Sequence, residues 1–226
     1  MVNKLASMLL GMLFYRAPYL SFSSEEIEVF ENIYAEAASS HSEIGYDCRF
    51  PKYRFLQYIS ETKPVILHGS NNKSILEFET RRQTLFNGQY VEAVFATKDG
   101  IWPVFYAVFD RSKLSGNFRN ACLNVRNDKH TYYFFSLTPE TKMKNPWQDG
   151  MVYLLPQESF ENVSDSIVFF DEWVSKTPVK PIAKIAVTPQ DFYFINKVSR
   201  HKATESIMAT WFLYKLRTRV GKFTKK

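Results

Sequence analysis

Apolar residues fall at helical spacing near the two ends of this chain, while the middle carries short apolar runs too brief for helices. Near the first end, Ser23-Ser24-Glu25-Glu26 has the form of a capping box, in which a hydroxyl and a carboxylate satisfy each other's free backbone amides. Ile27, Phe30, Ile33, Tyr34 and Ala37 follow on one side of a helix over 24–38. Phe55, Leu56 and Ile59 mark a second helix over 53–60. At the other end Ile207, Trp211 and Leu216 predict a closing helix over 204–217. Between them, runs at 65–67, 91–96, 132–137, 151–155, 167–170 and 182–187 read as strands. One short helix interrupts the strands: Asp99 caps it, Pro103 fits its first turn, and Ile101, Phe105 and Val108 share its face. Helices outside and strands crowded inside predict an α+β class, not a doubly wound parallel sheet.

A chain of 226 residues is long for one domain and short for two. We read a single globular unit, with a helical segment over 1–60 packed on a domain over 61–226. Hydrophobic residues make up 45% of the chain, enough for a sizeable core. The net charge of +6 is localised: no Asp or Glu follows Glu205, whereas six Lys and Arg do. A neutral body argues against nucleic acid binding over the whole surface and leaves only the tail Lys215–Lys226 for such contact. That tail suits nucleic acid or acidic lipid, but a solvated end is the simpler expectation.

Two cysteines, Cys48 and Cys122, are too few for a disulfide framework and fit a reducing cytoplasm. The four His show no metal-ligand spacing, so no metal is expected. The apolar run Leu5 to Tyr15 is too short to span a bilayer and is followed by no small-x-small cleavage site. It is read as a helix packed on the domain, with no membrane partner.

The chemistry-bearing segment is Val65-Ile66-Leu67-His68-Gly69-Ser70, an apolar strand ending abruptly in polar residues. Gly69 permits close approach to the backbone, and Ser70 adds a hydroxyl beside His68. The polar connection over 69–90 is long enough to be a binding loop. The plain alternative is a hydrogen-bonded core histidine.

Pro64-Val65-Ile66-Leu67-His68-Gly69-Ser70 resembles the first signature of the ADP-ribosyltransferase fold, in its poly(ADP-ribose) polymerase and diphtheria-toxin branch. There an apolar strand ends in His-Gly-Ser or His-Gly-Thr. Val94-Phe95-Ala96-Thr97 followed by Phe105-Tyr106-Ala107 is similar to the second signature, a strand and a helix lining the nicotinamide pocket. Asp171-Glu172-Trp173-Val174, continued by 179–187, looks like the third, the strand with the catalytic Glu. The resemblance covers roughly residues 62–188 and implies a split, bent β core of short strands flanked by the terminal helices. It also implies NAD as substrate. His68 would bond the adenosine-side ribose, Gly69 and Ser70 the nicotinamide amide, and Phe95 would line the cleft. Tyr106 would stack on the nicotinamide ring, and Glu172 would be the catalytic carboxylate. Val94 stands where the family places its first ring-stacking Tyr.

Three function classes follow: an NAD-dependent ADP-ribosyl transferase or glycohydrolase, a non-catalytic nucleotide- or protein-binding module on the same fold, and a nucleic-acid module using the basic tail over 215–226. Arg81, Arg82, Arg111 and Arg119 have no decisive spacing. Glu158 and Glu161 read as surface residues, and Glu172 and Tyr106 as strand surface and core if the resemblance is set aside.

Overall fold

The computed structural model describes residues 2–40, 43–84, 90–163 and 166–220. Helix α1 (Val2–Leu13) runs into a short strand, β1 (Tyr15–Arg16), and α2 (Ser24–Ser40) begins at the expected cap. Glu26 Oε2 accepts from the Ser23 amide at 3.0 Å, and Ser23 Oγ accepts from the Glu26 amide at 3.2 Å. Arg54 of α3 (Lys52–Thr62) donates to the same carboxylate at 2.6 Å, so the cap also ties α2 to α3. This pair is largely buried and hydrogen-bonded at both ends, unlike an exposed ion pair of negligible worth.

The strands form three mainly antiparallel sheets. In the first, β2 (Val65–Ser70), β7 (Gly150–Pro156) and β11 (Ala183–Val187) lie in the order β11-β7-β2. The second holds β3 (Arg81–Thr84), β4 (Tyr90–Ala96), β8 (Glu161–Asn162) and β10 (Trp173–Ser175) in the order β3-β4-β10-β8. The third runs β1-β6-β5-β9, from β5 (Phe118–Val125), β6 (Thr131–Leu137) and β9 (Val168–Phe170). Its β6 also pairs in parallel with β12 (Ser199–Arg200). Helix α4 (Trp102–Val108) crosses between sheets, α5 (Pro139–Met143) follows β6, and α6 (Ile207–Val220) closes the chain.

Strand alternation divides the interior into layers. Val65 and Leu67 of β2, with Val152 and Leu154 of β7, face a large core shared with Phe105 and Val108 of α4. Phe30, Phe55, Leu56 and Ile59 enter the same core, so the first 60 residues share it with the strands. The intervening residues Ile66, Met151 and Tyr153 turn to a second core with Phe78 and Val94. A third cluster puts Leu10 of α1 and Tyr214 of α6 on one face of the β5–β6 sheet, against Leu123 and Phe134.

Two glycines let α4 lie directly on the first sheet. A Cβ on Gly69 would sit 1.8 Å from the Pro103 carbonyl oxygen, and one on Gly150 would sit 1.8 Å from that of Ala107. Asp99 caps this helix as expected, its Oδ1 accepting from the Ile101 and Trp102 amides at 2.9 and 2.6 Å. Burial pushes its carboxyl up to about 6, against the hydrogen bond from Tyr133.

The α+β architecture and its main strands agree with the sequence reading; three features differ. The connection over 69–90 is not loop throughout, because Arg81–Thr84 form β3 and pair with β4. Strand β5 was not expected, because Arg119, Asn120 and Asn124 disguise its alternation. The basic end is also less solvated than expected. Lys215 Nζ donates to the Gly11 carbonyl at 2.6 Å, and Arg217 pairs with Glu205 at 2.7 Å. Residues 221–226 of the basic tail, like Asn87-Gly88 of the long connection, lie outside the described residues. Among the described residues no helix is long and apolar enough to cross a membrane.

Candidate functional site

Strand β2 has β7 on one side. On the other it meets β4 at the bridge Leu67↔Thr97, where each amide bonds the other's carbonyl at 2.9 Å. Past that bridge the strands part, and a cleft of about 1000 Å³ opens between them. That volume lies at the upper end of small-ligand and cofactor sites. In an antiparallel strand the N–H and C=O of one residue point the same way and alternate along the chain. Those of Leu67 point to β4, so those of Gly69 do too, where β4 has already diverged. Gly69 thereby offers one donor and one acceptor to the cleft.

His68, Gly69, Ser70, Phe95, Tyr106 and Glu172 all line this cleft. His68 Nδ1 lies 2.5 Å from the Phe95 carbonyl oxygen. Because a carbonyl only accepts, Nδ1 carries the proton and Nε2 is left as an acceptor. Burial pushes the imidazole pKa down, and the Arg111 and Arg81 charges push the same way, against that hydrogen bond. His68 is therefore neutral near pH 7. Its ring packs on Phe78, centroids 4.6 Å apart, which fixes its plane. Ser70 Oγ accepts from the Asn72 amide at 3.1 Å and keeps its own proton to donate.

Tyr106 projects from α4, and its hydroxyl donates to Asn120 Oδ1 at 3.0 Å. The same oxygen accepts from Trp102 Nε1 at 2.6 Å, so β5 pins two aromatic cleft residues at once. Burial pushes the Tyr106 hydroxyl up to about 12. The Arg111 guanidinium lies over its ring at 5.2 Å. Arg111 is exposed, so uncovering that face forfeits a contact of about 0.5–1 kcal/mol.

Glu172 does not lie within a strand, as the sequence reading had it. It occupies the connection between β9 and β10, where the chain leaves the third sheet for the second. The neighbouring Asp171 makes that corner. Its Oδ2 accepts from Thr97 Oγ1 at 2.6 Å and from the Lys98 amide at 2.9 Å, and its Oδ1 accepts from Trp173 Nε1 at 3.0 Å. Burial pushes the Asp171 pKa up, and these three donors hold it down. The corner is thus bound to the end of β4, with Glu172 half-buried at the cleft wall.

Arg81, Arg82 and Arg111 line the same cleft, as do Glu77, Glu79 and Glu172. Arg119 does not join them. It donates to the Glu205 carbonyl at 2.5 Å and to Thr210 Oγ1, holding the start of α6. Glu158 and Glu161 are exposed and away from the cleft, as expected. Asn120 and Asp171 were missed by sequence reasoning. Asn120 gives no signal within a strand whose alternation is disguised, whereas Asp171 stands next to Glu172 in the sequence and is the acidic neighbour that a search for one catalytic carboxylate leaves aside. Among the described residues no group of three His, Cys, Asp or Glu is placed to hold a metal ion. No family model, no curated protein and no solved structure matches this chain.

Proposed function

We propose that this chain breaks the bond between nicotinamide and ribose in NAD and passes the ADP-ribosyl group to an acceptor or to water. One observation carries the reading: residues from three separate sequence signatures, at 68–70, 95–106 and 172, line one cleft. The parting of β2 and β4 past Leu67 also supports it, since an ADP-ribosyltransferase-like fold binds its ligand at a split in the β core. In this reading the nicotinamide carboxamide pairs with the outward N–H and C=O of Gly69 and with the Ser70 hydroxyl. The ribose on the adenosine side donates to Nε2 of His68. The pyrophosphate meets the arginines of the cleft, whose fork geometry suits it.

The bond that breaks joins the ring nitrogen of nicotinamide to C1′ of its ribose. The electron pair leaves with nicotinamide, which becomes neutral, and positive charge develops on the ribose. A carboxylate at Glu172 stabilises that charge more in the transition state than in the ground state. The acceptor's lone pair then forms the new bond at C1′, and its proton is released. The unpaired Cys48 and Cys122 support a reducing compartment such as the cytoplasm for this activity.

The test is nicotinamide release from NAD, with affinity measured by calorimetry. Glu172→Gln leaves NAD affinity nearly unchanged and slows release by about 10²–10³. His68→Ala weakens affinity as well as turnover, because its hydrogen bond exists in the ground state. Absence of any heat with millimolar NAD would sink the reading. A second reading rests on Val94, which is 3% exposed and gives the cleft an aliphatic wall where a stacking ring belongs. It is a binding module that holds ADP-ribose without turnover. Tight ADP-ribose binding with no nicotinamide release under an acceptor screen selects it.

A further inference from the structure

Helices α1 and α6 cover the same face of the β5–β6 sheet, with Leu10 and Tyr214 turned inward among Leu123 and Phe134. Their outer faces therefore look away from the sheet, and there the usual polarity is missing. On α1, Leu5, Met8, Leu9 and Met12 recur at positions i, i+3, i+4 and i+7, a complete helical stripe, and all four are exposed. On α6, Met208, Phe212 and Leu216 recur every fourth residue and are also exposed. The exposures decide the matter: Leu5 is 69% exposed, Met12 65% and Phe212 64%. Single exposed apolar residues are ordinary, but rows of them on neighbouring helices mark a contact surface.

What covers the surface is indicated by its charge. The described residues exposed on the two helices are apolar except for Lys4 and Arg219. Neither helix contains an Asp or Glu, and none follows Glu205 in the sequence. We infer that the α1–α6 face lies on an anionic lipid surface, with the Leu, Met and Phe side chains at the acyl boundary and the cations at the headgroups. An amphipathic face with a cationic margin binds a bilayer in this way without crossing it. The sequence expectation of no membrane partner rested on the lack of a spanning segment, which this mode does not need. A second copy of the chain fits less well, because its cations would meet their own kind across the contact.

The experiment is co-sedimentation of the full chain with phosphatidylcholine vesicles, with and without phosphatidylglycerol. The chain sediments with the mixed vesicles and binds pure phosphatidylcholine about thirtyfold more weakly, the factor that two cations near an anionic leaflet contribute. The double variant Met8→Glu/Phe212→Glu, at exposed positions, loses binding by about tenfold or more while its thermal melt stays in place. No sedimentation with mixed vesicles would overturn the inference, as would binding that the variant leaves intact. A wild-type dimer that fails to bind vesicles and that the same variant dissolves would assign the face to a second copy instead. None of these outcomes depends on NAD, so the inference and the proposed activity stand or fall separately.

Discussion

Gly69 answers to two neighbours at once: its backbone polar groups face the cleft, and its bare Cα faces the Pro103 carbonyl. The packing demand comes first. Gly69→Ala places a methyl group 1.8 Å from that oxygen, and the contact is backbone on both sides, so α4 must shift. We expect a loss of about 3 kcal/mol, at the upper end of overpacking costs, and a melting temperature lower by about 6–12 °C. An unchanged melt would show that α4 can lift from β2 without cost. His201 offers a different kind of test. Its Nδ1 lies 2.8 Å from Ser136 Oγ and its Nε2 lies 2.6 Å from Asn117 Oδ1, and burial lowers its pKa from 6.5 to about 4. A depressed histidine is neutral when folded, so the unfolded chain binds the proton first and stability falls as pH drops below about 6.5. Comparison with His201→Gln cancels the other titrating groups. The stability difference between wild type and variant shifts against wild type by about 2 kcal/mol from pH 7 to pH 5. A difference independent of pH would mean that His201 takes up its proton as readily in the fold as in the unfolded chain. At this scale His68 was legible because an apolar strand ending in His-Gly-Ser is conspicuous. Asn120 was not, since nothing in its neighbourhood says that two aromatic donors will converge on one amide oxygen.

At the scale of elements, the site depends on a corner. The chain leaves β9 in one sheet and enters β10 in another within two residues, and the Asp171 carboxylate holds that change of direction through Thr97, Lys98 and Trp173. Asp171→Ala leaves buried donors unpaired, at about 1–3 kcal/mol for each group left without a partner. It should also let Glu172 drift from the cleft wall. The expected signature is a lowered melting temperature together with a kcat that falls more than NAD affinity does. A variant with reduced stability but unchanged turnover would make Asp171 a purely structural residue. The corner was half legible: two apolar runs flanking an acidic pair were visible, but not their membership of different sheets. Sheet membership is set by long-range pairing, which short periodic runs do not encode. The same limit hid β5, whose polar positions look solvated until Trp102 and Tyr106 are placed beside them.

For the whole molecule, the order of elements was enough to recover the class, because local periodicity reports on helices and strands one at a time. It could not say that β2 would join β7 on one side and touch β4 at one bridge on the other, and that choice makes the cleft. It has a consequence in time as well as in space. Between β2 and β7 the chain must thread β3, β4, α4, β5, β6 and α5, and the corner with Glu172 comes later still. Loop-closure entropy opposes such distant pairings until much of the chain is in place, and topologies of this kind fold slowly. No early fragment of the chain can assemble the cleft. A nascent chain leaving the ribosome stays without a site until β7 and the corner with Glu172 have emerged, and any pause before β7 leaves β2 with an unpaired, aggregation-prone edge.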